Sequence, residues 1–380
     1  MDFSLTEEHI MIRDAAREFA QNELLPGVIE RDEKQHFPDS LVKKMANLGF
    51  MGIMVNPKYG GSGMDTISYV LVMEELSKVD ASAAVIVSVN NSLVCYGLEA
   101  FGSEYQKQKY LTKLATGELI GAFCLSEPEA GSDATSQKTS AIDKGDYYLL
   151  NGTKNWITNG GRADVYLVIA QTDKEKGSHG INAFIVEKGM KGFHVGPKEN
   201  KLGIRGSDTH TLQFNDVKVP KENRIGDDGF GFKFAMKTLS GGRIGIAAQA
   251  LGIAQGAYEL ALKYSKERKT FGTEISNHQA IAFKLADMHT EISAARHLVM
   301  KSAWDKDQGK NYDTSSAMAK LYASKVAMKQ TVEAVQIFGG NGFVKDYHVE
   351  RLMRDAKITQ IYEGTSEIQK IVISRSILKE

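Results

Sequence analysis

Cysteine is scarce: the 380 residues contain only Cys95 and Cys124, far apart in the chain. That excludes a disulfide framework and points to a reducing, cytoplasmic compartment. Charge of one sign is not in excess, since 47 Lys and Arg balance 47 Asp and Glu. A neutral chain gives no support for nucleic acid or an anionic membrane as its main partner. Among the nine histidines there is no H-E-x-x-H pair, so no zinc site is expected. His289 and His297 fall on one helical pattern and read as structural residues. A complete G-x-G-x-x-G after a strand, a Walker A loop and a G-x-S-x-G elbow are all missing, which removes the Rossmann, NTPase and α/β-hydrolase readings. Long apolar runs are missing too. The longest uncharged stretch, Ala81 to Leu98, is broken by Ser82, Ser88, Asn90, Asn91 and Ser92, and reads as a buried helix rather than a membrane span. "MDFSLTEEHIMIRD" has no apolar signal core and carries early acids, so neither a secretory signal nor a transit peptide is expected there.

What is present is a chain 42% hydrophobic, long enough for two or three domains around a sizeable core. Its texture changes twice. Residues 1–119 read as a helical domain, with a capping box at Ser4 and Glu7 and Pro38 opening the helix of "DSLVKKMANLGF". Residues 120–229 read as a mostly antiparallel β domain. "VYLVIA", "INAFIVE" and "TLQFNDVKV" are strands, and Asn151-Gly152 is a hairpin turn between two more. Residues 230–380 read as a bundle of about four long helices. One of them, "GRIGIAAQALGIAQGAYELALKYSKER", is rich in Ala and Gly and suits close helix approach. The fold class is therefore α+β, with the order helices, sheet, helices.

A few segments could carry chemistry. Glu363 lies between Tyr362 and Gly364, just before a helix whose capping box is Ser366 and Gln369. It is either an acid complementing a helix N-terminus or a general base on a loop with amide donors nearby. In "GAFCLSEPEAGSDATS" the Gly131-Ser132 corner could form an anion nest, although Glu127, Glu129 and Asp133 oppose one. Trp156 in "KNWITNGG" is a core residue by default, and otherwise a wall for a flat ligand. Arg268 in "ERKTFG" is a solvated helix-end cation or a phosphate contact. Gly339 and Gly340 in "QIFGGNGF" end a helix.

Taken together and in order, "CLSEPEAGSD", "WITNG", "GRIGIAAQALG", "ERKTFG", "QIFGGNGF" and "RDAKITQIYEGTSEIQ" resemble the acyl-CoA dehydrogenase family over nearly the whole chain. Through "VSVNNSL" at 87–93 the chain looks most similar to its short-chain, butyryl-CoA-type members. The resemblance implies FAD, a homotetramer, an acyl-CoA substrate and an electron-transferring flavoprotein as electron acceptor. It makes Glu363 the base that takes an α-proton while a β-hydrogen leaves as hydride, giving a trans-2-enoyl-CoA. It places Phe123, Leu125, Ser126, Gly131, Ser132, Trp156, Ile157 and Thr158 around the flavin. It assigns Arg268, Phe271, Gln279, Gln336, Ile337, Gly339 and Gly340 to the FAD of a neighbouring subunit, and Thr365, Ser366 and Glu367 to the cofactor at the last helix start. Ser132, Ser240, Arg243, Tyr362 and Gly364 become substrate contacts. One departure stands out: straight-chain members carry aspartate where this chain has Ser240, three residues before Arg243. Isovaleryl-type members carry their base just before that arginine, where this chain has Gly242. Related readings are a short branched-chain acyl-CoA dehydrogenase, an oxygen-using acyl-CoA oxidase and a non-catalytic flavin- or acyl-CoA-binding relative.

Overall fold

The computed structural model describes residues 4–379. Helix α1 (Glu7–Phe19) starts two residues later than the expected box would set it. Thr6 Oγ1 accepts from the His9 amide at 3.2 Å, and the Thr6 amide donates back to His9 Nδ1 at 3.3 Å. Histidine thus takes the place that Glu or Gln holds in the common box. Helix α2 (Thr66–Val79) and the helical run α3 (Ala81–Phe101) follow. α3 is apolar and long enough to span a bilayer, but 94% of its most apolar window is buried inside the protein. The polar residues that interrupt it are internal ties. Asn90 donates to the Met51 and Leu114 carbonyls, and Asn91 to those of Phe50 and Val87. Its middle, Val89–Cys95, widens to a π-helix, a local rearrangement often found beside functional sites.

The sheet comprises β1 (Gly121–Cys124), β2 (Ser140–Asp143), β3 (Tyr147–Thr158), β4 (Val165–Gln171), β5 (Ile181–Glu187), β6 (Phe193–Lys198), β7 (Thr209–Pro220) and β8 (Arg224–Ile225). The order is β6-β7-β3-β2-β4-β5-β8, with β1 parallel to β4. β4 and β5 are near-continuous apolar runs because both their faces are covered. Val165, Leu167, Ile169, Ala183 and Ile185 face the core shared with the helices, while Tyr166, Val168, Phe184 and Val186 face a separate core inside the β domain.

Asn151-Gly152 is not a turn. β3 runs straight through it and pairs with β7 on either side, with a register shift between Leu150 and Gly152. Gly152 has φ +146° and lies so close to the Thr139 backbone that a Cβ would come within 2.6 Å of Thr139 Cα. The pair marks a β-bulge, where glycine permits both the backbone angle and the close approach. Asn151 supports it by exchanging hydrogen bonds with Asp216, Nδ2 to Oδ1 and amide to Oδ1, both at 2.9 Å.

The C-terminal bundle has three long helices and two short ones, instead of about four long ones: α4 (Gly231–Glu267), α5 (Gln279–Asp307), α6 (Asp313–Phe338), α7 (His348–Ile358) and α8 (Ser366–Ile377). α4 is the central member and packs on α2 and α6. Its small residues permit this, as a Cβ on Gly252 would stand 2.4 Å from the Glu74 carbonyl oxygen of α2.

Candidate active site

Glu363 sits in the turn between α7 and α8 with φ +52°, in the left-handed region that a side chain adopts only when the surroundings demand it. Several features impose that turn. Thr365 caps α8 by accepting from the Ile368 amide at 3.3 Å, one residue earlier than the expected pairing of Ser366 with Gln369. Gln369, fully buried, instead turns back and donates Nε2 to the Gly364 carbonyl at 2.8 Å. The Ser366 amide closes the loop onto the Gln360 carbonyl at 3.0 Å. Upstream, α7 is anchored by the buried Arg351–Asp355 pair at 2.8 Å. Asp355 also accepts from the Ile204 amide of the β domain, and Arg351 donates to the Val79 carbonyl of the N-terminal helices. Arg354 reaches Asp32 at 2.8 Å. All three parts of the chain therefore hold the helix that leads into the turn.

The Glu363 carboxylate points inward. Its Oε2 is out of reach of water and has no hydrogen-bond partner. The opening it enters exists because residue 242 is glycine: a Cβ there would lie 2.1 Å from Oε2 and 2.7 Å from Leu93 Cδ2. Burial pushes the Glu363 carboxyl up to about 7, against the opposing pull of two cations, Lys320 and Arg243. Burial likewise lowers Lys320 to about 7, and it lowers Arg243. Arg243 Nε is buried without a partner. Three titratable groups therefore act on one another here, and two of them have polar atoms left open, the pattern of a site awaiting a ligand.

The other expected site residues divide into groups. Arg243, Gly364 and Tyr362 adjoin Glu363, but the Tyr362 hydroxyl is turned away and donates to Gln249. Ser240 is buried on the same helix, and its hydroxyl returns to the Met236 carbonyl at 3.2 Å. Thr365, Ser366 and Glu367 open α8, where a cavity of about 660 Å³ is lined by Leu298, Met318, Tyr322, Lys325 and Lys370 besides those three.

A second group joins β1 to β3. Trp156 is 58% exposed with φ +57° in a second irregularity of β3, so it is not a core residue and its indole faces outward. Ile157 beside it is buried in the β-domain core, and Thr158 pairs with Thr209. Phe123 packs against the helices, and Leu125 is partly buried there. The Ser126 carbonyl accepts from the Asn155 amide at 2.9 Å. Gly131 and Ser132 are exposed at the loop corner, and no protein carbonyl takes their amides among the described residues.

The loop is fixed by Lys154, fully buried, which donates to the Leu125 carbonyl at 2.9 Å, Glu127 at 2.7 Å and Gln137 at 2.9 Å. The Glu127 carboxylate also accepts from the Lys138 and Thr139 amides, so it points into the loop and away from the corner. Breaking one side of such a buried pair strands the other charge. Lys154→Met should therefore lower stability by about 3–5 kcal/mol, read as a fall in the urea midpoint, and an unchanged midpoint would contradict it.

A third group lies apart. Arg268 ends α4, Phe271 is 98% exposed in a tight hairpin, Gln279 opens α5, and Gln336, Ile337, Gly339 and Gly340 end α6, with Gly339 at φ +60°. Tyr264 stacks on Phe338 at 4.0 Å, which brings the ends of α4 and α6 together. Among the described residues, no hydrogen bond or ion pair connects this cluster with Glu363.

Sequence reasoning missed Lys320, Gln369 as a brace for the turn, and the role of Gly242 as the space for the carboxylate. A signal for Lys320 was present. Ser316, Lys320, Ala323, Ser324 and Ala327 form one buried helical stripe, so the lysine occupies a core-facing position.

Comparison with known proteins agrees with this architecture. Models of the acyl-CoA dehydrogenase N-terminal, middle and C-terminal domains match residues 6–118, 122–217 and 229–378. The short-chain specific acyl-CoA dehydrogenase of Clostridium acetobutylicum is 54% identical over 379 residues, covering 100% of both chains. The butyryl-CoA dehydrogenase structure from Megasphaera elsdenii superposes with a TM-score of 0.98 at 51% identity, over 100% of both chains. A chain in the structural study of the electron transferring flavoprotein of Acidaminococcus fermentans, directed at flavin-based electron bifurcation, gives a TM-score of 0.99 at 55% identity, again over 100% of both. The fold is the three-domain arrangement of helices, sheet and helices that these matches share. This chain belongs to the acyl-CoA dehydrogenase family.

Proposed function

We propose that the chain is an FAD-dependent short-chain acyl-CoA dehydrogenase, converting a butyryl-CoA-like thioester to its trans-2-enoyl product and passing electrons to an electron-transferring flavoprotein. The observation that carries this reading is the Glu363 carboxylate in the gap opened by Gly242, its Oε2 buried and without a hydrogen-bond partner among the described residues, with Lys320 and Arg243 both drawing on its charge. Glu363 is the base. Its amide has no protein acceptor among the described residues and can donate to the thioester oxygen as charge develops there. Arg243 and Gly364 contact the substrate. Ser132 would do so from the loop corner. With its hydroxyl already bonded within α4, Ser240 contributes bulk more than a polar contact.

The residues present suit FAD. The exposed Trp156 indole with Thr158 offers a face for the flavin ring, and the free amides of Gly131 and Ser132 suit a pyrophosphate. When bound, FAD accepts the β-hydrogen as hydride. Arg268, Phe271, Gln279 and the Gln336–Gly340 turn, remote from Glu363, serve the cofactor of an adjacent subunit, which makes a homo-oligomer, a tetramer, the working form. Domain limits of 1–119, 120–229 and 230–380 follow from the same reading.

The test is anaerobic mixing of the yellow enzyme with straight and branched acyl-CoAs of increasing length, following loss of flavin colour, with the flavoprotein and oxygen offered as competing acceptors. Butyryl-CoA should bleach fastest. Bleaching only by long chains, or faster turnover with oxygen, would reject the assignment. The pH dependence should carry the mark of burial. Glu363 must be ionised to act, and its folded value is raised to about 7. The rate at limiting substrate should therefore rise with pH through the neutral range, since that limb reports the free enzyme's base. An acid limb near 4.5 would mean that the carboxylate is solvated.

A further inference from the structure

Lys320 is a buried lysine, only 1% exposed, on the core-facing side of α6. Among the described residues no carboxylate pairs with it directly. Its Nζ donates to two backbone carbonyls, Gly364 at 2.6 Å and Thr359 at 3.1 Å, which lie on either side of Glu363 in the chain. Removing an ammonium from water is costly, and packing would be served as well by Leu or Met. What Lys320 supplies is a rigid donor to the turn and a positive charge close to a carboxylate that has no hydrogen-bond partner of its own.

We propose that Lys320 is a positioning residue for the reaction: by gripping the Gly364 and Thr359 carbonyls it fixes the Glu363–Gly364 peptide, keeps the carboxylate aimed into the Gly242 gap, and keeps the Glu363 amide facing the thioester oxygen. Gln369 shares the Gly364 carbonyl and also approaches that of Glu363 at 3.4 Å. With both carbonyls held by donors on one side, the Glu363 amide is left without a protein partner. The left-handed φ of +52° at Glu363 and +91° at Gly364 would relax without such braces.

The charge has a second effect, on the acidity of Glu363. The charged and titratable groups around the pair are Arg243 on α4, Tyr69 on α2, Tyr362 in the turn, and Tyr312 and Asp313 at the start of α6, the last two acting on Arg243. Only Lys320 and Arg243 pull the Glu363 carboxyl down against burial. Taking away the ammonium therefore raises the value at which Glu363 ionises. The base is active when ionised, so the acid limb of the rate profile moves to higher pH.

The inference rests on Glu363 being the base, and the experiment separates the two ideas. Holoenzymes carrying K320M, K320R, Q369L and Glu363→Gln are compared by stopped-flow flavin reduction with butyryl-CoA across pH. K320M should retain FAD, lose about 100-fold in rate at pH 7 from misplacement of the base, and move the acid limb up by about one unit. K320R supplies donors and a charge that persists through the neutral range, so its limb should not rise above the wild-type position and most of the rate should be regained. Q369L, which loses only a donor, should slow the reaction without moving the limb. An unmoved limb in K320M overturns the proposal, whatever its rate. An active Glu363→Gln enzyme overturns the base assignment instead. Should K320M fail to fold, K320Q, uncharged but still a donor, carries the same expected limb shift and the same refutation.

Discussion

Glu363→Gln should give a yellow enzyme that butyryl-CoA no longer bleaches, with the rate of flavin reduction down by about 10²–10⁴-fold, the contribution of a positioned base. The substitution preserves shape in a gap shaped by Gly242 and Leu93, so the fold has little reason to move. It removes the proton acceptor and the anion on which Lys320 and Arg243 both act. The α-proton of a thioester is only weakly acidic, and among the described residues no other carboxylate at this site is buried unpartnered to take it. Flavin content, substrate affinity and bleaching rate measured on one preparation distinguish lost chemistry from lost binding. Undiminished bleaching would mean that Glu363 is structural and that its elevated acidity is a by-product of burial.

Gly242→Ala should be nearly as damaging without touching a reactive atom. The new methyl would stand 2.1 Å from Glu363 Oε2 and 2.7 Å from Leu93 Cδ2, both impossible distances. α4 is the central helix of the bundle and Leu93 is embedded in α3, so the mobile partner is the carboxylate. A displacement of about 1 Å is enough to cost about 10²-fold in rate. The neighbouring glycine supplies the control. A Cβ on Gly241 would meet nothing nearer than the Ser92 carbonyl oxygen at 3.8 Å. Gly241→Ala should keep its rate and gain a little helix stability, by up to about 1 kcal/mol. Equal rates for the two variants would show that the carboxylate does not depend on the gap.

The architecture was legible because it rests on local patterns. Apolar runs in β4 and β5, punctuation by glycine, and the Ala- and Gly-rich α4 all reflect rules that act over a few residues. The errors arose where tertiary contacts decided. Asn151-Gly152 has the composition of a tight turn, but the approach of Thr139 and the tie to Asp216 convert it to a bulge. His9 could not be foreseen as the reciprocal partner of a cap. Trp156 reads as core from its residues alone, and only the resemblance places it elsewhere, because a positive φ that turns an indole outward leaves no trace in composition. At the site, Glu363 was visible as an odd acid ahead of a helix, with its role suggested only by resemblance. Lys320 could be read only as a lysine on a buried stripe, with no sign of its role, because its partners are carbonyls roughly forty residues away that any sequence would supply.

The sheet has two cores, one of its own and one shared with the surrounding helices. Phe123, Val165, Leu167, Ile169, Ala183 and Ile185 would be bare to solvent if the middle segment were cut out. The boundaries between zones thus mark changes of texture, not seams at which the protein could be taken apart. Shuffling of such segments between related enzymes succeeds only where the apolar underside and the helices that cap it travel as a matched set.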